Sequence, residues 1–262
     1  MKHLRLVAIL ICVLGAQAEP ERTPRIINGH TAPGIVGYHA FIAYMNEEFA
    51  GFFGGGTIIS DRHVLSSAKI IHGWFQWEIR VGSNVFVELE RITMKSYHAV
   101  THPQFDFHTS VNDIGIIYLP ESLEFTQNVY PVALPDLNPD RTNLLPLKNE
   151  EGTIVGFGYT TSAAINHSDL LMRAFQRVNF DAGCEVLYGN QSPEIYFCAR
   201  DNEQFANMCL GDVGGGFVTL VRGRPTITGI VSYVREICET TYPTGFTRVA
   251  YYRDWIRHVT QL

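Results

Sequence analysis

The sequence predicts an all-β fold, an antiparallel sandwich or barrel, that ends in a single helix. Short runs rich in β-branched and aromatic residues recur along the chain, and Gly, Pro, Asn or Asp separates most of them. The predicted strands are residues 40–45, 56–59, 79–81, 85–89, 114–119, 153–157, 217–221 and 226–231. Near the end, apolar residues at i, i+3, i+4 and i+7 predict a helix over about residues 250–260. These residues are Tyr252, Trp255, Ile256 and Val259.

The composition is that of a folded globular protein. Of 262 residues, 46% are hydrophobic and 18% are charged. The formal net charge is −6 and the chain has no basic run, so nucleic acid is not an expected partner. A polar, proline-containing stretch at 135–149 divides the chain into two halves, which we place at about 26–140 and about 141–250.

The first residues have the pattern of a secretory signal peptide. Lys2 and Arg5 precede an apolar stretch at 6–15, and the small residues at 16–18 predict cleavage after residue 18. The apolar stretch is too short to span a bilayer, which makes a membrane anchor the less favoured alternative. We therefore predict a signal peptide over 1–18 and a secreted, extracellular protein with no membrane partner.

The cysteine count supports secretion. Cys12 lies in the signal peptide, and an even number of cysteines remains, which predicts disulfide bonds with three pairings left open by spacing. These residues are Cys184, Cys198, Cys209 and Cys238. No spacing matches a zinc motif, and we predict neither a metal nor a cofactor. A glycosylation sequon is present at Asn166, and a second at Asn190 is weakened by Pro193.

Seven short blocks follow one another in an order that is specific to one family. They are RIING at 25–29, GGTIIS at 55–60, NDIGIIYL at 112–119, GFG at 156–158, CLGDVGGG at 209–216, IVSY at 230–233 and TRV at 247–249. Together they resemble the chymotrypsin/trypsin-like serine proteases over nearly all of residues 26–262. The resemblance implies two six-stranded antiparallel β-barrels with the active cleft between them.

The resemblance also implies family-specific bonds. A zymogen-like propeptide at 19–25 would be removed by cleavage between Arg25 and Ile26, and the new amino group of Ile26 would pair with Asp212. The implied disulfide bonds are Cys184 with Cys198 and Cys209 with Cys238.

The catalytic positions depart from the family pattern. The family uses a serine nucleophile, a histidine base and an aspartate. Here these positions fall at Val213, Lys69 and Asp113, so only the aspartate remains. The valine side chain has no lone pair and no acidic proton, and a lysine amine is protonated at pH 7 unless it is strongly buried. The backbone N–H groups of Gly211 and Val213 still offer an oxyanion hole. We therefore predict no catalytic residues and no enzymatic activity, with Lys69 forming an ion pair with Asp113.

The specificity pocket departs from the family as well. By the resemblance its floor is Asn207, which removes the charge that selects Lys or Arg in trypsin-like enzymes. Ser232 lies beside the pocket, and Val234 and Thr244 stand where the family usually has two glycines. Two β-branched side chains would narrow or plug the pocket.

The predicted function is binding by a secreted, catalytically inactive serine-protease homologue. The expected partner is an extracellular protein, namely a protease, an inhibitor or a protease substrate, and the binding would modulate extracellular proteolysis. Two alternatives remain open at this stage. One is a serine-type endopeptidase with an unusual active site, and the other is a passive, abundant secreted protein.

Overall fold

The computed structural model describes residues 29–48, 51–138, 142, 144–163, 166–179, 182–189, 191–238 and 240–262. The predicted signal peptide, the propeptide, the Arg25–Ile26 junction and Asn190 lie outside the described residues. Among the residues described, no helix is long and apolar enough to cross a membrane.

Short strands dominate the described chain. In sequence order they are β1 (His30–Thr31), β2 (His39–Met45), β3 (Gly51–Ile58), β4 (His63–Ser66), β5 (Gln76–Val81), β6 (Thr93–Ser96), β7 (Ala99–Thr101), β8 (Gly115–Tyr118), β9 (Glu151–Gly156), β10 (Met172–Asn179), β11 (Tyr196–Arg200), β12 (Gly216–Val221), β13 (Arg224–Tyr233) and β14 (Thr244–Arg248). The α-helices are α1 (Ala182–Tyr188) and α2 (Arg253–Thr260), and the 3₁₀ helices are Ala68–Ile70, Phe86–Arg91 and Val249–Tyr252.

The strands form two antiparallel sheets. The first, here called the N-terminal half-barrel, has the order β6-β5-β2-β3-β4-β8-β7. The second, here called the C-terminal barrel, has the order β10-β11-β14-β13-β12-β9 and closes because β9 also pairs with β10. Inward residues alternate with outward ones along β5, where Trp77, Ile79 and Val81 are buried in the core. The expected all-β fold and its closing helix are therefore confirmed.

The N-terminal sheet differs from the six-stranded barrel that was expected. It has seven strands, and among the described residues no strand pairing joins β6 to β7. At this opening the Ser96 hydroxyl donates a hydrogen bond to the carbonyl oxygen of Tyr118 at 2.6 Å. A side chain therefore bridges the place where a closed barrel would have a ladder of backbone bonds.

The prediction of a strand at 85–89 is wrong, because a 3₁₀ helix occupies Phe86–Arg91. The Ser83 hydroxyl accepts the N–H of Val85 and donates to the carboxylate of Glu88, each at 3.0 Å, which turns the chain. The turn directs Phe86 onto Phe41, with ring centroids 5.0 Å apart. Aromatic packing and a local side-chain bond outweigh β propensity here.

The two halves are joined at both ends of the described chain. β1, which precedes the half-barrel in sequence, pairs with β10 of the C-terminal barrel. At the other end, Ile256 of α2 belongs to a buried cluster with Ile116 of the half-barrel and Ile230 of the C-terminal barrel. The seam between the halves is thus an apolar core.

Candidate functional site

Asp113 lies where the two halves of the molecule meet and is fully buried. Its Oδ1 accepts hydrogen bonds from the Ser67 hydroxyl at 2.6 Å and from the Lys69 backbone N–H at 3.0 Å. Its Oδ2 accepts a hydrogen bond from the Ser232 hydroxyl at 2.6 Å. The Thr247 hydroxyl donates to the backbone carbonyl of Asp113 at 2.8 Å. Donors from both halves therefore hold the carboxylate in one orientation.

Lys69 bridges the two halves of the molecule. It lies in the 3₁₀ helix Ala68–Ile70, and its Nζ donates to the carbonyl oxygen of Ser232 on β13 at 2.8 Å. The same Nζ is 3.8 Å from Oδ2 of Asp113, so the predicted ion pair is present. Burial lowers the pKa of Lys69, and the nearby Asp113 carboxylate partly opposes that shift. The lysine therefore joins the half-barrel to the C-terminal barrel through a carbonyl and a carboxylate.

The loop at 209–216 places Val213 against the half-barrel. The half-buried Val213 side chain packs against the half-barrel core, and its carbonyl accepts the N–H of Gly55 at 2.8 Å. Gly211 has φ +92°, and a Cβ there would overlap the ring of Phe53, so glycine is required on both counts. Within the described part of the chain, the N–H groups of Gly211 and Val213 have no acceptor. The loop thus offers two backbone donors beside a hydrocarbon side chain.

Asp212 belongs to the same loop and is buried. Its carboxylate accepts the N–H of Gly158 at 2.9 Å and the N–H of Cys209 at 3.0 Å. Burial raises the pKa of Asp212 to about 6, although both hydrogen bonds oppose the shift. A Cβ at Gly156 or Gly158 would overlap the carboxylate, which explains the two glycines of the GFG block. The predicted partner, the amino group of Ile26, lies outside the described residues.

The predicted pocket residues do not form a single open site. The Thr244 hydroxyl donates to Oδ1 of Asn207 at 2.6 Å, and Nδ2 of Asn207 donates to the Tyr242 carbonyl at 3.2 Å. Asn207 and Thr244 are both buried, so the polar groups of the pocket floor bond to each other. Val234 packs against the core of the C-terminal barrel, and the hydroxyl of Ser232 turns to Asp113 instead.

Ser67 is the site residue that the sequence reasoning missed. Its side chain caps the 3₁₀ helix by accepting the N–H of Lys69 at 3.1 Å, and it also donates to Asp113. A serine directly before a short helix is a capping signal. That signal indicates the cap, but the contact with a carboxylate 46 residues away depends on the tertiary fold.

Both implied disulfide bonds are present. Cys184 of α1 bonds to Cys198 of β11, and Cys209 bonds to Cys238. The second bond ties the start of the loop that carries Val213 to the segment after β13. Asn166 is exposed, and the Ser168 hydroxyl of its sequon donates to the carbonyl of Leu170 at 2.7 Å. Glycosylation at Asn166 stays a prediction.

Comparisons with known proteins identify the family. The family model named Trypsin matches residues 26–256, and the chain therefore belongs to the trypsin family. The collagenase of Hypoderma lineatum is 28% identical over 270 residues, covering 99% of this chain and 98% of its own length. The trypsin of Phaedon cochleariae is 29% identical over 265 residues, covering 99% and 97%. A solved structure of HL collagenase superposes with a TM-score of 0.75 at 27% identity, over 90% of this chain and 99% of that one.

These relatives overturn the prediction that the protein is not an enzyme. Proteins that match nearly the whole chain are named collagenase and trypsin, which are proteolytic enzymes. There is also a physical reason for the correction. Loss of a triad member in such enzymes leaves roughly 10³–10⁴-fold catalysis over water, supplied by the oxyanion hole and by binding. Substituted side chains at Lys69 and Val213 are therefore insufficient grounds for excluding turnover, and we withdraw the prediction.

Proposed function

We propose that the protein acts outside the cell by binding a segment of another polypeptide in the cleft beside Lys69, Asp113 and Val213. The observation that carries this proposal is the pair of unused N–H donors at Gly211 and Val213. A backbone carbonyl of an extended polypeptide is the natural acceptor for such donors. The signal-peptide pattern at the start of the sequence supports an extracellular setting.

A serine-type endopeptidase is the second candidate, and the names of the relatives favour it. The same N–H groups would then stabilise the oxyanion that forms when a nucleophile attacks the bound carbonyl. Val213 supplies no nucleophilic atom, so a hydroxyl from elsewhere would have to attack. Ser67 and Ser232 both donate hydrogen bonds of 2.6 Å to Asp113 and would have to turn away from it. Both candidates share the binding step, and the second adds cleavage of the bound peptide.

One experiment tests both candidates. The purified chain, cut after Arg25, is used to select binders from a displayed library of random hexapeptides. The selected peptides are then synthesised, and their binding and cleavage are measured by calorimetry and mass spectrometry. Val213→Phe fills the cleft and should abolish binding. Val186→Phe is the matched control because Val186 is 67% exposed on α1.

Each outcome decides between the candidates. Selected peptides that bind to the parent protein and to Val186→Phe, but fail to bind to Val213→Phe, support the cleft as the binding site. Cleavage of those peptides at a rate proportional to protein concentration would support the endopeptidase. A library that yields no binder, or binders that tolerate Val213→Phe, would rule out the cleft as a polypeptide site.

A further inference from the structure

The segment that follows β13 is anchored at both ends to the proposed polypeptide site. Before it, the Ser232 hydroxyl bonds to Asp113. After it, Cys238 is joined by a disulfide bond to Cys209, where the loop with the two free N–H donors begins. Arg235 lies three residues from Ser232 and three from Cys238, and three residues of chain span at most about 11 Å. Its backbone is therefore held close to the site from two sides.

The side chain of Arg235 is held as well. Its guanidinium carbon lies 4.0 Å from the centroid of the Tyr242 ring, and such stacking restricts the plane of the fork. Tyr242 is itself fixed, because its backbone carbonyl accepts Nδ2 of Asn207 at 3.2 Å in the filled pocket floor. The fork is thus oriented before any ligand arrives.

The positive charge of Arg235 has no partner in the protein. Within the part of the chain that the structure describes, Arg235 forms no ion pair, and its Nε is buried without a hydrogen-bond partner. The next residue, Glu236, is exposed and does not pair with it. By contrast, Arg177 pairs with Glu151 at 3.1 Å. A carboxylate from a ligand would supply the missing partner through charge-assisted hydrogen bonds.

We propose that Arg235 selects for a bound segment that carries an aspartate or glutamate side chain. This inference rests on the proposed function, because it requires a polypeptide whose carbonyl accepts the N–H groups of Gly211 and Val213. The donor loop is tied to β13 by the N–H of Gly214 and the carbonyl of Val231, 2.8 Å apart and four residues before Arg235. An extended ligand covers a comparable span in about four residues, so the carboxylate should stand within about four residues of the bound carbonyl.

The test repeats the selection of displayed hexapeptides against the parent protein, Arg235→Glu and Arg222→Glu. We expect acidic residues to be enriched at one position of the peptides that bind to the parent protein, and lysine or arginine at that position of those that bind to Arg235→Glu. Arg222→Glu makes the same charge change on an 87% exposed side chain and should select the same acidic residues as the parent protein. A reversed preference cannot result from misfolding, because a misfolded protein does not gain a new specificity.

Calorimetry then measures the effect of a single carboxylate. The selected peptide is synthesised with an acetylated and an amidated end, so that side chains are its source of carboxylates. Replacing its selected aspartate or glutamate by the matching amide should weaken binding to the parent protein by about tenfold or more. The same replacement should change binding to Arg235→Gln by less than about twofold. Added sodium chloride should reduce the difference that the parent protein shows.

The outcomes separate this inference from the proposed function. Peptides that bind to the parent protein, fail to bind to Val213→Phe and show no acidic preference would keep the polypeptide site and remove the role of Arg235. The role is also removed if Arg235→Glu selects the same peptides as the parent protein, or if Arg222→Glu shifts the preference as much. A library that yields no binder for any of these proteins would overturn the polypeptide site and this inference together.

Discussion

Replacing Lys69 by methionine tests how much its contacts across the cleft stabilise the fold. Methionine keeps most of the apolar stem and removes the ammonium. At 3.8 Å the attraction to Asp113 is about 4 kcal/mol for an effective dielectric constant of about 20, and desolvation offsets most of it. The hydrogen bond to the Ser232 carbonyl contributes about 1.5–3 kcal/mol. We expect Lys69→Met to lower the free energy of unfolding by about 2 kcal/mol.

A double-mutant cycle isolates the pairing itself. Asp113→Asn should lower the free energy of unfolding by about 3 kcal/mol, because the amide replaces one of the two acceptor oxygens, which bond to Ser67 and Ser232, with an NH₂ donor. The double variant should lose about 1–2 kcal/mol less than the sum of the single losses. Urea unfolding at pH 7, followed by tryptophan fluorescence, measures all four free energies.

A matched surface pair provides the control. Asp254 and Arg257 are 3.3 Å apart on α2, with side chains 62% and 56% exposed. The same cycle on this pair should give a coupling of about 0–1 kcal/mol that salt weakens further. If the two single losses sum to the loss of the double variant within about 0.5 kcal/mol, Lys69 and Asp113 are energetically independent. The predicted pairing would then be wrong.

Further predictions concern the pocket, a buried histidine and a glycine. Thr244→Val removes the hydrogen bond to Asn207 and should destabilise the protein by about 1–3 kcal/mol in urea unfolding, whereas unchanged stability would mean that the pocket floor adapts. Burial lowers the pKa of His39 to about 4, below the usual 6.5. The stability that the neutral histidine contributes is therefore complete above about pH 6.5 and is lost as the pH falls toward 4. His39→Gln should therefore reduce the loss of stability between about pH 6.5 and pH 4. An unchanged loss would show that this histidine does not cause it. Gly158→Ala should lower the melting temperature because its Cβ overlaps a buried carboxylate, whereas Gly34→Ala, with nothing within 4 Å, should not.

The fold was predictable where the sequence pattern is local. Runs of β-branched and aromatic residues mark β2, β8, β12 and β13. The same pattern did not predict β10, because its outward positions carry two arginines and the polar Gln176 faces inward. The buried Gln176 amide donates to the Ala206 carbonyl at 2.9 Å, which no local pattern reveals.

The site was predictable in its parts but not in its connections. The motifs indicated Lys69, Asp113 and Val213, and the structure brings the first two together. Ser232 was expected beside the pocket, but its hydroxyl bonds to Asp113 because the two halves meet there. Contacts between residues more than 100 positions apart depend on how the halves pack, so the sequence pattern cannot assign them.

The two disulfide bonds lie within residues 184–238, so the described part of the half-barrel has no covalent cross-link. At the half-barrel's Gly54, a Cβ would stand 2.7 Å from the Val213 carbonyl oxygen and 3.2 Å from the Ile70 side chain, both closer than an ordinary van der Waals contact. A thiol reductant would therefore act on one side of the molecule. It would loosen the C-terminal barrel and its Val213 loop, while the framework that carries Lys69 and Asp113 is held by packing and hydrogen bonds, which a reductant leaves intact. Reducing conditions would thus destabilise the half of the site that carries Val213 and spare the half that carries Lys69 and Asp113.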